Sequence, residues 1–268
     1  MIAGILAIIE FALTTLMLWR YLQKKVNPSS QQSKSTFLSP WALALIVMAV
    51  FIYTHLYHSG GIDLGFYNSL LLASFVICMM LFVASFIKPV EHLGMIVLPV
   101  TIICLILNLS FHQPANSLTY NAGIQTHIIA SIIAFSILCL AAVQAILLFI
   151  QERNIKQHTS SGLLRSLPSL HESETILFQS IILGVLVLTL ALVTGFIFLD
   201  DIFAQHLVHK TTLSCLAWLV FVVLLWGRFQ FGWRGATAVR WYLGGFSFLI
   251  LAYYGSKFVL ELILNNQA

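Results

Sequence analysis

The sequence predicts an all-α membrane protein, a bundle of about eight transmembrane helices, and two observations carry that prediction. The 268 residues are 60% hydrophobic and only 8% charged, whereas soluble domains carry about 25% charged residues. A chain with so few charges, and with a mean hydropathy of +0.96, has too little polar surface to coat a water-soluble body. Its apolar residues also come in runs of about 20, the number that crosses the hydrocarbon core of a bilayer as a helix.

Eight apolar runs follow one another along the chain, separated by polar or turn-forming segments. Asn27–Ser30 is a polar linker, Ser59–Gly61 is a turn, and Lys88 precedes a proline, which disfavours helical backbone at the residue before it. We therefore expect residues 1–268 to form a single transmembrane domain. The predicted spans are Ile2–Leu22, Phe37–Leu56, Phe66–Ile87, Gly94–Phe111, Ile124–Ile150, Ile176–Leu199, His209–Trp226 and Val239–Leu264.

The lysine and arginine residues predict how these spans are oriented. Eleven of the thirteen fall in the connections after spans one, three, five and seven, and only Lys210 and Lys257 fall on the opposite side. Basic residues favour the cytoplasmic side of a membrane, so both termini are expected outside the cytoplasm. The eleven are Arg20, Lys24, Lys25, Lys34, Lys88, Arg153, Lys156, Arg165, Arg228, Arg234 and Arg240.

Several function classes lack their sequence signals. The net charge of +4 is spread over loops rather than gathered in a patch, so we expect no nucleic acid partner. The spacing of the four cysteines forms no C-x-x-C motif, which would indicate a zinc or redox site. No phosphate-binding loop of the G-x-x-x-x-G-K-[ST] type is present.

Histidines gather at the predicted outer face. Six of the nine lie at or near that face, at the ends of several spans, and imidazole is a common ligand of haem iron. Each single histidine could equally be an amphipathic residue at the membrane surface, so the group carries more weight than any member. The six are His55, His58, His112, His127, His206 and His209.

Glu10 is a polar residue near the middle of the first span. A carboxyl group inside a membrane is costly and is therefore a functional candidate by default. A hydrogen bond to a neighbouring helix would explain it equally well.

Five segments resemble, in order, those of the CcsA/HemX-like cytochrome c assembly family, and most closely its short YpjD-type branch of eight spans. They are T-H-I-I-A-S-I-I-A-F-S-I-L at 126–138, V-L-T-L-A-L-V-T-G-F-I-F at 187–198, K-T-T-L-S-C-L-A-W-L-V at 210–220, L-W-G-R-F-Q-F-G-W-R-G at 225–235 and L-A-Y-Y-G-S at 251–256. The similarity covers roughly residues 94–264. The resemblance implies a polytopic protein that handles haem at the outer face of an energy-coupling membrane, which in a bacterium is the inner membrane.

The chain departs from the family pattern at two places. Family members that present haem carry a tryptophan-rich loop before the segment matching Lys210–Trp218, and here that loop reads L-D-D-I-F-A-Q-H-L-V-H, without tryptophan. The family's outer histidine before the fifth span is matched by His127. Its second outer histidine, after the last span, has no counterpart, because the chain ends N-N-Q-A.

The resemblance leads us to expect an accessory haem-binding or assembly factor, with haem as its cofactor or cargo and no assigned catalytic residue. His127 is then the principal ligand of the haem iron, and His55 or His209 supplies the second ligand. Its partners would be the lipid bilayer, haem and other membrane assembly proteins. A non-catalytic membrane partner that binds no cofactor is the alternative. A transporter is the third reading, although midplane charges are few.

Overall fold

The computed structural model describes residues 2–25, 33–58, 61–62, 65–111, 121–157, 167–198 and 205–255. Within those ranges eight helices are long and apolar enough to cross a membrane, so the predicted all-α class and span number are confirmed. They are α1 (Ile2–Lys25), α2 (Ser35–Leu56), α3 (Phe66–Ile87), α4 (Gly94–Ser110), α5 (Ala122–Lys156), α6 (Leu170–Phe198), α7 (Gln205–Phe231) and α8 (Gly235–Ile250). The described residues also form short elements: the antiparallel strands β1 (Tyr57–His58) and β2 (Gly61–Ile62), and a 3-10 turn at Glu91–Leu93.

Helices α5, α6 and α7 extend beyond their predicted spans. Hydropathy marks only the part of a helix that lies in hydrocarbon, whereas hydrogen bonding continues into the polar surface region. Thus α6 begins at Leu170 rather than Ile176, and its first turns carry Glu172 and Glu174. After α8 the chain forms a π-helical turn, Leu251–Gly255, and the predicted end of the last span lies outside the described residues.

The chain divides into two compact units, of which unit 1 is Met1–Thr119 with Arg153–Ser169. Helix α1 packs against α2 and α4, and α3 packs against α4. Buried polar groups join α3 to α4: Asn108 Nδ2 donates to Asn68 Oδ1 at 2.7 Å, and the Cys78 thiol lies 3.0 Å from the Thr101 hydroxyl. Hydrogen bonds of this kind hold helices together in a membrane.

A buried carboxylate lies at one end of unit 1. Glu91 is only 1% exposed, and its oxygens lie 3.0 Å from Lys25 Nζ and 3.6 Å from Lys34 Nζ. Lys34 also donates to the Ser85 carbonyl at 3.2 Å. We call Glu91, Lys25 and Lys34 the Glu91 cluster.

Unit 2 is Tyr120–Glu152 with Leu170–Ala268. Helix α7 packs against α6 and α8, and the π-helical turn packs against α7 and α8. The buried Tyr242 hydroxyl donates to the Leu138 carbonyl and thereby ties α8 to α5. Trp218 Nε1 donates to Thr189 Oγ1 at 2.8 Å and ties α7 to α6.

Candidate functional site

His127 lies in the second turn of α5, at the end of unit 2 where α5 begins and α6 ends. Its Nδ1 lies 2.8 Å from the carbonyl oxygen of Ala191 on α6. A carbonyl oxygen can only accept a hydrogen bond, so Nδ1 carries the ring proton and donates it. The neutral ring therefore keeps a lone pair on Nε2, which is the form in which imidazole binds a metal.

The close approach of α5 to α6 at Gly195 fixes the position of this ring. A Cβ atom on Gly195 would lie 2.9 Å from His127 Cε1 and 3.1 Å from Nδ1, so a larger residue there would require the ring to shift. Thr194 Oγ1 donates to the Ala191 carbonyl at 3.0 Å, so one oxygen accepts from both side chains. Metal-binding histidines commonly donate a hydrogen bond from their second ring nitrogen to a carbonyl oxygen in this way. We call His127, Ala191, Thr194 and Gly195 the His127 site.

Further polar and aromatic side chains surround the His127 site. Ser131 and Phe135 follow at four-residue intervals and so share a face of α5 with His127. The Tyr253 ring, on the π-helical turn, stacks on Phe135 with ring centroids 4.9 Å apart, and its hydroxyl lies beside Ser131. Lys210, near the start of α7, is within electrostatic range of His127. The site thus combines one imidazole nitrogen with hydroxyl groups and a positive charge.

The two proposed partners of His127 are placed differently. His209 lies on α7 in unit 2 and its side chain is exposed to the surroundings. His55 ends α2 in unit 1, where its ring stacks on Phe51 at a centroid distance of 4.9 Å. The pairing of His127 with either residue stays a prediction. His112 lies outside the described residues, and so do the side chains of His58 and His206.

Metal sites built from several ligands are absent from the described ranges. No group of three or more histidine, cysteine, aspartate or glutamate side chains there could hold a metal ion. The loop at 199–204, where the tryptophan-rich segment of the family is missing, lies outside the described residues.

The opposite end of unit 2 holds a buried carboxylate that the sequence analysis did not single out. Glu174 accepts hydrogen bonds from Arg228 Nη1 at 2.9 Å, and from Arg234 Nε and Nη2 at 3.0 and 2.9 Å. Arg228 also donates to the Trp233 carbonyl at 3.2 Å and lies 4.4 Å from the centre of the Phe178 ring. We call Glu174, Arg228 and Arg234 the Glu174 cluster.

In the Glu174 cluster, Arg228 and Arg234 pair with a carboxylate. In the sequence, these two arginines served only to predict the orientation of the spans. Hydrogen bonds from Arg234 to Glu174 raise the pKa of its guanidinium above the usual high value, so that side chain stays charged. The available sequence signal was an acidic residue in the first turn of α6 together with two arginines in the hairpin. This signal rests on charge alone, so it does not distinguish Glu174 from Glu172 as the partner of the arginines.

Glu10 lies in the middle of α1 and is half-buried. The backbone carbonyl of Glu10 accepts a hydrogen bond from Thr14. Its carboxyl group makes no hydrogen bond or ion pair with any residue in the described ranges. The expected hydrogen bond to a neighbouring helix is therefore not found among those residues.

Comparisons with known proteins agree with the resemblance of the five segments. The family model described as "Cytochrome C assembly protein" matches residues 36–264. The chain is similar to the inner membrane protein YpjD of Escherichia coli K12, with 31% identity over 229 residues, which are 82% of this chain and 85% of that protein. It is also similar to the protein HemX of Brevibacillus brevis, with 24% identity over 53% of each chain. The cytochrome c biogenesis protein CcsA of Prochlorococcus marinus is 29% identical over 33% of this chain and 29% of its own. No solved structure matches the chain.

Proposed function

Because the chain belongs to the cytochrome c assembly protein family, we propose that it is an accessory haem-handling protein of a bacterial inner membrane. His127 is the axial ligand that it offers to the haem iron. The inner membrane follows from the similarity to YpjD, which carries that location in its name. Haem handling follows from the resemblance to the family and from the geometry of one histidine.

The hydrogen bond from His127 Nδ1 to the Ala191 carbonyl is the observation that carries this proposal. Nδ1 then carries the ring proton, and Nε2 keeps a lone pair that can bind a metal. The bond to Ala191 and the contact with Gly195 favour one ring orientation, so less conformational entropy is lost when Nε2 binds.

The donor set fits haem better than it fits a bare metal ion. Haem supplies an iron atom with its four equatorial ligands already in place, so the protein needs to supply only axial ligands. His127 would supply one protein ligand to the iron, and His55 or His209 would supply the second. Ala191 and Thr194 hold the imidazole, and Lys210 supplies positive charge near it.

An accessory role agrees with what the chain lacks relative to family members that present haem. The segment 199–209 contains no tryptophan. A protein without the tryptophan-rich loop can bind or store haem, or assist another assembly protein, more readily than it can present haem for covalent attachment.

The test is the visible spectrum of the protein purified from haem-replete cells. We expect a Soret band that is lost when His127 is replaced by alanine and retained when the exposed His171, at the start of α6, is replaced. His55→Ala and His209→Ala are compared in the same series, and the one that supplies the second ligand should change the band position. A Soret band that is equal in wild type and His127→Ala would refute the ligand role.

A non-catalytic membrane partner that binds no cofactor is the second function, and Glu10 favours it. A carboxyl in the middle of a span without a partner among the described residues is costly, and a donor on the transmembrane helix of another protein would remove that cost. The spectrum separates the two functions: a purified protein that takes up no haem, even after hemin is added, favours the partner function.

A further inference from the structure

The Tyr253 hydroxyl is an unexplained polar group in unit 2. The side chain as a whole is half-buried, but its oxygen is enclosed and makes no regular hydrogen bond with the described residues. The Ser131 hydroxyl lies beside it. Buried hydroxyls without a partner are uncommon because each one forfeits its hydrogen bonds to water. An exception of this kind is a hydroxyl that can still take a hydrogen-bond partner.

Tyr253 and His127 border the same stretch of α5. Ser131 follows His127 by four residues, which is one helical turn, or about 6 Å along the axis. Stacking of the Tyr253 ring on Phe135 holds the phenol at this level. A planar ligand bound to His127 Nε2 and extending along α5 by one turn would bring its edge to the Tyr253 hydroxyl.

The backbone at Tyr253 departs from α-helical geometry. The residues Leu251–Gly255 form a π-helical turn directly after α8. Such turns cost stability and occur frequently at functional sites, because they redirect a side chain that an α-helix would point elsewhere. In this turn Tyr253 contacts Phe135 and reaches Ser131.

We propose that Tyr253 and Ser131 form a second polar anchor of the His127 site, which hydrogen-bonds a carboxylate at the edge of the bound tetrapyrrole. This inference rests on the proposed haem-handling function. Carboxylates accept hydrogen bonds, and two hydroxyl donors next to each other suit one carboxylate. Haem carries carboxylates at its edge and is planar, so it can satisfy an axial nitrogen and an edge donor at once.

The experiment measures the affinity of the purified apoprotein for hemin and for hemin dimethyl ester, whose carboxylates are blocked. We expect Tyr253→Phe to weaken hemin binding by about tenfold, the effect of one hydrogen bond to a charged group. The same variant should bind the ester as the wild type does. Ser131→Ala should act in the same direction. Equal hemin affinity in wild type and Tyr253→Phe, or an unchanged preference for hemin over its ester, would overturn the proposal.

Tyr242→Phe is the matched control. Tyr242 is a buried tyrosine in the same unit, but its hydroxyl is already bonded to the Leu138 carbonyl. Its replacement should lower the thermal stability of the apoprotein and leave hemin affinity unchanged. Tyr253→Phe should leave apoprotein stability unchanged or raise it, because an unpaired hydroxyl is removed. A loss of stability in Tyr253→Phe would instead indicate a structural hydroxyl and would contradict the anchor.

The outcome for His127 keeps the two proposals distinct. If His127→Ala binds hemin as tightly as the wild type, the ligand role of His127 fails. In that case, a difference in hemin affinity between the wild type and Tyr253→Phe would still place the tetrapyrrole at Tyr253. If His127→Ala loses binding and Tyr253→Phe does not, the ligand role stands and the anchor alone is wrong.

Discussion

The two ends of unit 2 both hold polar side chains in a mainly apolar bundle, but they use them differently. In the Glu174 cluster, both carboxylate oxygens and two guanidinium groups are bonded to one another. In the His127 site, one ring nitrogen is bonded within the chain, and the other is left as a lone pair. Polar groups whose hydrogen bonds are all made within the chain stabilise a fold. An oriented imidazole ring whose Nε2 keeps its lone pair can also bind a ligand.

The Glu91 cluster of unit 1 resembles the Glu174 cluster in composition. Each has one buried glutamate and two cations from neighbouring elements. The lysines of the Glu91 cluster are 39% and 42% exposed at their side chains, and they reach the carboxylate while their stems lie along apolar surface. Buried glutamates with two cations are therefore a structural feature of both units.

The largest effect on stability is expected from Glu174→Leu. This replacement leaves Arg228, which is partly buried, and Arg234 without their carboxylate, and breaking a buried ion pair costs about 3 kcal/mol or more. Thermal unfolding in detergent measures the loss. His171→Gln, at an exposed position in the first turn of α6, is the control and should change stability by less than about 0.5 kcal/mol. Equal effects of the two replacements would mean that the Glu174 cluster does not stabilise the fold. The contrast between the two ends of unit 2 would then no longer hold.

A smaller loss is expected from Gly235→Ala at the same end of the unit. Gly235 has a positive φ of 53°, and a Cβ atom there would lie 2.9 Å from Glu152 Oε2. Left-handed backbone alone costs about 1–2 kcal/mol in a residue with a side chain. Gly244→Ala, in α8 with nothing within 4 Å of the added carbon, should leave stability unchanged or raise it slightly. Unfolding temperatures of the two variants in one detergent decide the matter, and a reversed order would contradict the local geometry.

The smallest effect on stability, and a specific effect on ligand binding, is expected from Gly195→Ala. The added carbon meets the His127 ring, which is at the end of a side chain and can swing aside at little cost. The ring then loses its bond to Ala191 and its fixed direction, so hemin affinity should fall by about tenfold or more, as it does when the support of a metal ligand is removed. A stability loss as large as that of Gly235→Ala, with hemin affinity unchanged, would make the two ends of unit 2 alike.

The class and number of the helices could be predicted from the sequence because hydrocarbon imposes the same requirement on every span. Helix ends could not, because charged residues such as Glu174 and Lys156 continue a helix into the polar surface region. The predicted orientation, with both termini outside the cytoplasm, stays a prediction.

The candidate site could be predicted only in part. His127 was identified because a histidine at the start of an apolar run is unusual and matches the family. Its partner is a backbone carbonyl 64 residues away on α6, and no sequence pattern marks a backbone acceptor. Gly195 and Tyr253 were missed for a related reason: a close approach between helices and a π-helical turn arise from packing in three dimensions.

The protonation state of His127 tests the central claim most directly. Protein labelled with 15N at its histidines is measured by NMR in lipid bilayers, and the His127→Gln variant assigns the signals of that ring. We predict a neutral ring with the proton on Nδ1, a bare Nε2, and a change of the Nε2 signal when hemin is added. A proton on Nε2, or an Nε2 signal that hemin leaves unchanged, would contradict the role of His127 as the ligand.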